Sequence, residues 1–217
     1  MPRFELPRYI AIEGPIGVGK SSLARLVADK LHARRLLDSE VNPFLRAFYD
    51  EEPGAAFQAQ MYFLLHRYQL LKELDLASDP RRMVVADYVF EKDKLFAYIN
   101  LEDNELKLYD AYYEYFRAQL PTPDLVIYLQ ASLEVLQKRI AKRRDPREAE
   151  ISDEYLGEVV KAYEHFFFHY NASDLLVINT SEIDFVDRNE DLRELLRRLA
   201  EPVKGTQYFL PLGSETD

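Results

Sequence analysis

Residues 13–22 read EGPIGVGKSS, a glycine-dense loop with an apolar run directly before it and a helical pattern directly after it. Gly14, Pro15, Ile16, Gly17, Val18, Gly19, Lys20 and Ser21 satisfy G-x-x-x-x-G-K-[ST], and three of the chain's seven glycines fall inside the match. Upstream, RYIAIEG is a short β-branched strand pattern. Downstream, SSLARLVADKLHA places Leu23, Leu26, Val27 and Leu31 at helical spacing. Strand, loop and helix in this order make a phosphate cradle. Glycines let backbone N–H groups turn inward, Lys20 supplies a point charge to the β- and γ-phosphates, and the Ser21 hydroxyl can ligate Mg²⁺ at the helix N-terminus. Gly14 through Ser21, with Ser22 in the first helical turn, are the expected nucleotide contacts.

The same alternation continues along the chain. RRLLDSE reads as a second strand, and Pro43 and Pro53 bracket an irregular or briefly helical stretch. An amphipathic helix spans about residues 55–76. RRMVVADYVF is a third strand, followed by helices over 92–99 and 105–120; TPDLVIYLQAS is a fourth. A helix then runs until Pro146, a further one opens on a Ser152 cap, and DLLVINTSE is the fifth strand. Continuous apolar strands such as 83–86 and 175–178 require burial on both faces, as in a parallel sheet. The expectation is a three-layer α/β/α sandwich with a five-stranded parallel sheet and ligands at the carboxyl ends of the strands. Residues 1–217 are read as one domain, with an arginine-rich helical lid over about 139–152.

Composition narrows the function. Apolar residues make up 47% of the chain and charged residues 30%, as in ordinary globular proteins. A net charge of −10 repels nucleic acid polymers and anionic membranes while leaving room for a small anion in a focused pocket. The absence of cysteine excludes disulfides, thiolate catalysis and cysteine-ligated zinc. No secretory layout and no apolar run near 20 residues is visible, so the expected location is the cytoplasm. A switch GTPase would carry D-x-x-G and N-K-x-D, and neither string occurs. Glycine outside the loop occurs only singly, against the signature loop of transport ATPases. Phosphoryl transfer to a small molecule is the class left.

Such a transfer needs a carboxylate near a strand end to take or orient the acceptor hydroxyl's proton. Asp38 and Glu40, two apart at the end of the second strand, share one face, so either suits. Asp87, after the apolar MVVA, stands where an aspartate can join the Mg²⁺ shell or cap a helix. In AAFQAQMYFLLHRYQLL, Phe57, Gln60, Met61, Leu64 and Tyr68 form one stripe, so Gln60 sets an amide in an apolar face. A glutamine can present donor and acceptor together to a nucleobase edge, or be satisfied by backbone or water. Phe57 belongs to the core or to a base-stacking platform. LQKRIAKRRDPRE concentrates arginines, and Arg139 and Arg143, four apart on one helical face, suit a lid gripping the transferring phosphoryl.

Taken together, IAIEGPIGVGKSS, NPFLRAFY, AAFQAQMYFLLHRYQ, VVADYVFEKDKLFA and PDLVIYLQASLEVLQKRIAKRR, in this order, resemble the deoxyribonucleoside kinases over about residues 9–185. The resemblance implies ATP-dependent phosphorylation of the 5′-hydroxyl of a deoxyribonucleoside, Mg²⁺ and a homodimer. Gln60 falls where the family's base-reading glutamine stands, and Arg139 and Arg143 fall where its lid arginines stand. Asp38 lies where the family usually has a glutamate base, with Glu40 as the alternative. ADY at the third strand departs from Glu-Arg-Ser and is similar to a bacterial subgroup favouring purine deoxynucleosides. That similarity gives Asp87 a metal contact and Lys92 a phosphate contact. Tyr49 and Glu148 are similar to sugar-contacting positions. Two alternatives stay open: a thymidylate-type nucleoside monophosphate kinase, against which Tyr88 stands where an arginine would follow the aspartate, and a non-catalytic nucleotide-binding regulatory module.

Overall fold

The computed structural model describes residues 7–38, 41–74, 76, 82–144 and 151–213. The chain packs as two compact units, one within residues 1–37, 81–89 and 122–217, the other within 38–80 and 90–121.

The first unit is built on β1 (Tyr9–Glu13), every residue of which is buried. It leads through the glycine loop into α1 (Lys20–Leu31). β2 (Arg34–Leu36), β3 (Val84–Ala86), β4 (Leu125–Gln130) and β5 (Asp174–Asn179) follow, all in parallel pairing. Side chains alternate across the sheet, so one face carries Ile10, Ile12, Leu125, Ile127, Leu176 and Ile178. These cluster with Leu23 and Val27 of α1, Leu136 of α6 (Leu133–Arg143) and Leu195 of α8 (Asn189–Leu199). On the opposite face Tyr128 stacks on Phe167 of α7 (Asp153–Phe168), ring centroids 4.1 Å apart. Both faces are therefore covered, which accounts for continuous apolar strands where an antiparallel sheet would alternate. Helix starts follow local chemistry: Ser132 caps α6 by accepting from Val135 N, and Ser152 caps α7 by accepting from Tyr155 N.

The sheet has six strands, in order β2-β3-β1-β4-β5-β6, rather than the expected five. The sixth, β6 (Thr206–Phe209), extends the edge beyond β5 in parallel register, Leu175 opposite Thr206 and Ile178 opposite Phe209. As an edge strand it is exposed on alternate residues, so TQYF lacks the apolar run that marks the interior strands. The sequence reading also assigns no helix where α8 stands.

The second unit is helical: α2 (Leu45–Tyr49), α3 (Ala55–Lys72), α4 (Lys92–Asn100) and α5 (Asp103–Arg117). α5 opens on a capping box in which Glu105 accepts from the Glu102 backbone N–H at 3.2 Å. This explains a start two residues before the expected one. No described helix is long and apolar enough to cross a membrane.

Candidate active site

The end of β1 is fixed by a carboxylate to which the sequence reading gives no role. Glu13 is fully buried and accepts from Gly14 N at 3.0 Å, Val89 N at 3.0 Å and the Tyr163 hydroxyl at 2.9 Å. Three donors offset the cost of burying the charge and tie strand end, loop entry, the segment after β3 and α7 together. The loop that follows needs glycine where backbone closes on backbone. A methyl group at Gly14 would lie 2.4 Å from the Leu129 carbonyl oxygen. Gly19, at φ 103°, caps α1 in the left-handed region, and a methyl group there would lie 2.8 Å from the Phe185 ring.

Lys20 leaves the first turn of α1 and folds over the loop, its Nζ donating to Gly14 O at 2.7 Å and Pro15 O at 3.1 Å. One residue on, the Ser21 hydroxyl donates to Asp87 Oδ2 at 2.5 Å. Asp87 directly follows β3, and its own N–H donates to Leu36 O. Ser21 and Asp87, each expected to contact Mg²⁺, thus lie side by side at the loop. Their chemistry suits Mg²⁺. Bonds of about 2.0–2.1 Å at right angles separate neighbouring oxygen ligands by about 3 Å, within reach of this pair, and Mg²⁺ takes only one or two carboxylates from a protein.

Arg139 and Arg143, read as one gripping face, part company. Arg143 is exposed at the end of α6, whereas Arg139 turns inward. Its guanidinium donates to Thr180 Oγ1 at 3.0 Å, Thr180 O at 2.7 Å, Ile183 O at 2.8 Å and Val18 O at 3.4 Å. It therefore holds protein carbonyls, because α6 packs this face against the segment after β5. Arg144 ends α6 in the left-handed conformation, and the expected lid resumes at Ile151. Glu148 in that lid, like Glu40, lies outside the described residues.

The helical unit contains a second set of polar side chains. Asp38 lies two residues beyond β2 and receives Arg67 in bidentate fashion, Nε to Oδ1 at 3.1 Å and NH2 to Oδ2 at 2.8 Å, with Lys92 Nζ at 3.1 Å from Oδ2. The expected phosphate contact Lys92 is thus an ion-pair partner of Asp38. Arg67 continues to Asp93 Oδ2, so one guanidinium bridges two carboxylates. Asp93 Oδ1 also accepts from Gln60 Nε2 at 2.6 Å and from the Tyr109 hydroxyl at 2.8 Å, while Gln60 Nε2 reaches Asp93 O at 2.8 Å. Burial acts to raise the Asp38 carboxyl, but Arg67 and then Lys92 outweigh it and hold the group well below the usual carboxylate range. Burial raises Asp93, opposed by Arg67, Tyr109 and Gln60.

The buried face of α3 runs Gln60, Leu64, Arg67, Leu71. Gln60 is on the inner face as expected, and its Oε1 accepts no hydrogen bond among the described residues. Phe57 and Tyr49 are half-buried, Tyr49 against Phe48 at 5.3 Å between ring centroids. Arg67, Asp93 and Tyr109 are the members the sequence reading missed. Arg67 lies seven residues, about two helical turns, beyond Gln60, a spacing that marks a shared face of α3 but not the burial of the charge.

Residues 10–204 match the family model for deoxynucleoside kinases. A deoxyguanosine kinase of Bacillus subtilis is 34% identical over 199 residues, covering 89% of this chain and 96% of the relative. A deoxyadenosine kinase of Lactobacillus acidophilus is 30% identical over 212 residues, covering 91% and 97%. Among solved structures, a deoxyadenosine kinase from M. mycoides with dCMP and dCDP bound as products superposes with a TM-score of 0.73 at 25% identity, over 88% of this chain and 97% of that one. A phosphate cradle with a serine–aspartate pair, a held carboxylate beside a buried amide, and near full-length likeness to kinases of this type agree: the chain belongs to the deoxynucleoside kinase family.

Proposed function

We infer that the protein transfers the γ-phosphoryl group of ATP to the 5′-hydroxyl of a purine deoxyribonucleoside, releasing ADP and the 5′-monophosphate. The observation that carries this reading is Asp38, a carboxylate kept ionised by Arg67 and Lys92 inside a protein whose other unit bears a phosphate loop. Asp38 orients the 5′-hydroxyl and accepts its proton as the oxygen bonds to the γ-phosphorus and the β–γ bridging bond breaks. A low proton affinity suits the loose transition state of phosphoryl transfer, in which the hydroxyl loses its proton late. Should Asp38 serve only to position, Glu40 is the candidate base.

Lys20 shifts from the Gly14 and Pro15 carbonyls to the donor phosphates, and the inward N–H groups from Gly14 to Ser22 bind them. Ser21 and Asp87 hold Mg²⁺, which when bound neutralises charge on the donor phosphates. Arg143 supplies the lid cation. Gln60, its Nε2 held by Asp93, reads the base edge through Oε1, Phe57 flanks the base, and Tyr49 and Glu148 contact the sugar. The purine preference is supported by relatives that are deoxyguanosine and deoxyadenosine kinases. The setting is the cytoplasm, and the assembly is a homodimer. Its interface is the exposed stripe Leu108, Tyr112, Tyr115 of α5 with Leu65 of α3, a patch that a twofold partner would cover with its own copy. Purified protein incubated with MgATP and each of the four deoxynucleosides tests the reading. Monophosphate forms fastest from a purine nucleoside; absence of product from all four overturns it.

A further inference from the structure

The chain beyond the family-matched residues carries a structural element of its own. β6 starts two residues after that match ends and is anchored by Gly205 N donating to Asp174 Oδ1 at 2.8 Å, by Leu175 N donating to Gly205 O at 2.9 Å, and by Arg198 donating to the Gln207 side chain. Phe209 packs on the core, Pro211 is buried, and the backbone arrives at Gly213 with φ +75°. There it meets the segment that follows β5: a methyl group on Gly213 would fall 2.2 Å from the Glu182 carbonyl oxygen. Only a residue without a side chain fits this approach, and at this φ only glycine is unstrained.

The contacted segment is not an idle loop. Glu182 and Asp184 line a pocket of about 250 Å³ together with Lys138, Arg139, Lys142 and Arg188. The carbonyls on either side, of Thr180 and Ile183, are those gripped by Arg139, whose NH1 also reaches Val18 O in the phosphate loop. A contiguous chain of contacts thus runs from Gly213 through Glu182 and Arg139 to the phosphate loop, all within one compact unit.

We propose that β6 and Gly213 are a positioning strap that sets the 180–184 segment and, through Arg139, the phosphate loop, so that donor affinity depends on the C-terminal tail. The strap touches no nucleotide. It acts on KM for ATP and leaves the deoxynucleoside side alone. The inference rests on the functional reading above, and the experiment separates the two.

Two variants are compared with the full chain: Gly213→Val, and a chain ended after Leu212, which retains β6. Both raise KM for ATP about tenfold, with kcat and the deoxynucleoside KM within about threefold of the full chain. Thermal midpoints stay within about 3 °C. Leu212→Ser, altering a side chain 93% exposed, changes none of these. Calorimetric titration of ATP into the same proteins reads the strap without turnover and gives the same weakening. Unchanged ATP affinity in the shortened chain overturns the strap, as does an equal rise in both KM values; if Gly213→Val fails to fold, the shortened chain decides. A full chain that binds ATP but phosphorylates no deoxynucleoside overturns the functional reading instead, while the titration still decides the strap.

Discussion

Asp38 is the residue on which the proposed transfer turns. Its neighbours favour the charged form strongly enough to outweigh burial, so the carboxylate is ionised wherever the protein is folded. Asp38→Asn keeps the shape of the side chain but removes the proton acceptor and one of the two oxygens that Arg67 and Lys92 bind. It lowers kcat by about 10²–10⁴-fold with KM for ATP little changed, as steady-state kinetics with MgATP and a purine deoxynucleoside will read. Lys20→Ala removes the cation of the phosphate loop and abolishes turnover in the same assay. Asp38 also sets a pH dependence. Its folded value lies below the unfolded value of about 3.9, so the stability it contributes is fully present above that value and is lost as pH falls through it. Urea midpoints of the native chain therefore fall below about pH 4, and Asp38→Asn makes that acid limb shallower. An acid limb of unchanged steepness in the variant contradicts the pairing.

Helix α3 works as a polar rod through an apolar bundle. Gln60 and Arg67, seven residues apart on its buried face, bind one carboxylate from α4, and Tyr109 of α5 completes the set. Arg67 is 4% exposed and Asp93 fully buried, so removing Arg67 takes from Asp93 its counter-charge in a medium that does not solvate it, whereas Arg67 without Asp93 still pairs with Asp38. Arg67→Met leaves Asp93 uncompensated and costs about 3–5 kcal/mol in urea unfolding, whereas the double variant with Asp93→Leu costs less than the single one. Equal losses in single and double variants would mean that the two groups do not share their energy. The pairing also fixes Asp38, since the Arg67 guanidinium that binds Asp93 through NH1 binds Asp38 through Nε and NH2. The carboxylate that holds Gln60 and the carboxylate proposed as the base thus share one arginine.

Leu108, Tyr112 and Tyr115 are 50%, 46% and 67% exposed and stand at i, i+4 and i+7 on α5, a stripe an isolated chain has no reason to keep bare. The homodimer inferred above covers it. Sedimentation of the native protein gives a dimer, and Tyr115→Asp with Leu108→Asp gives a monomer of unchanged helix content. A native chain sedimenting as a monomer overturns the interface. The acidic balance of −10 acts on the whole particle and opposes association with polymeric nucleic acid, whereas the proposed phosphate contacts, the loop's N–H groups and Lys20, are local.

Local signals made much of this legible. The order YIAIE, glycine loop, helix could be read from residues 9–31 because close backbone approach demands glycine and a 3.6 period demands a helix. Ser21, Asp87, Asp38 and Gln60 were legible as candidates because strand ends and an amide in an apolar stripe are visible along the chain. Arg67 and Asp93 were not. Each is a charge on a helix, a pattern that reads as solvated until α3, α4 and α5 pack and exclude water. Arg139 misled for the same reason, since periodicity places it beside Arg143 while packing turns it to the Thr180 and Ile183 carbonyls. β6 has no apolar run, and pairing with β5 alone makes it a strand. Periodicity and backbone sterics are short-range and are written into neighbouring residues. The fate of a charge depends on what excludes water around it, and those groups come from distant parts of the chain.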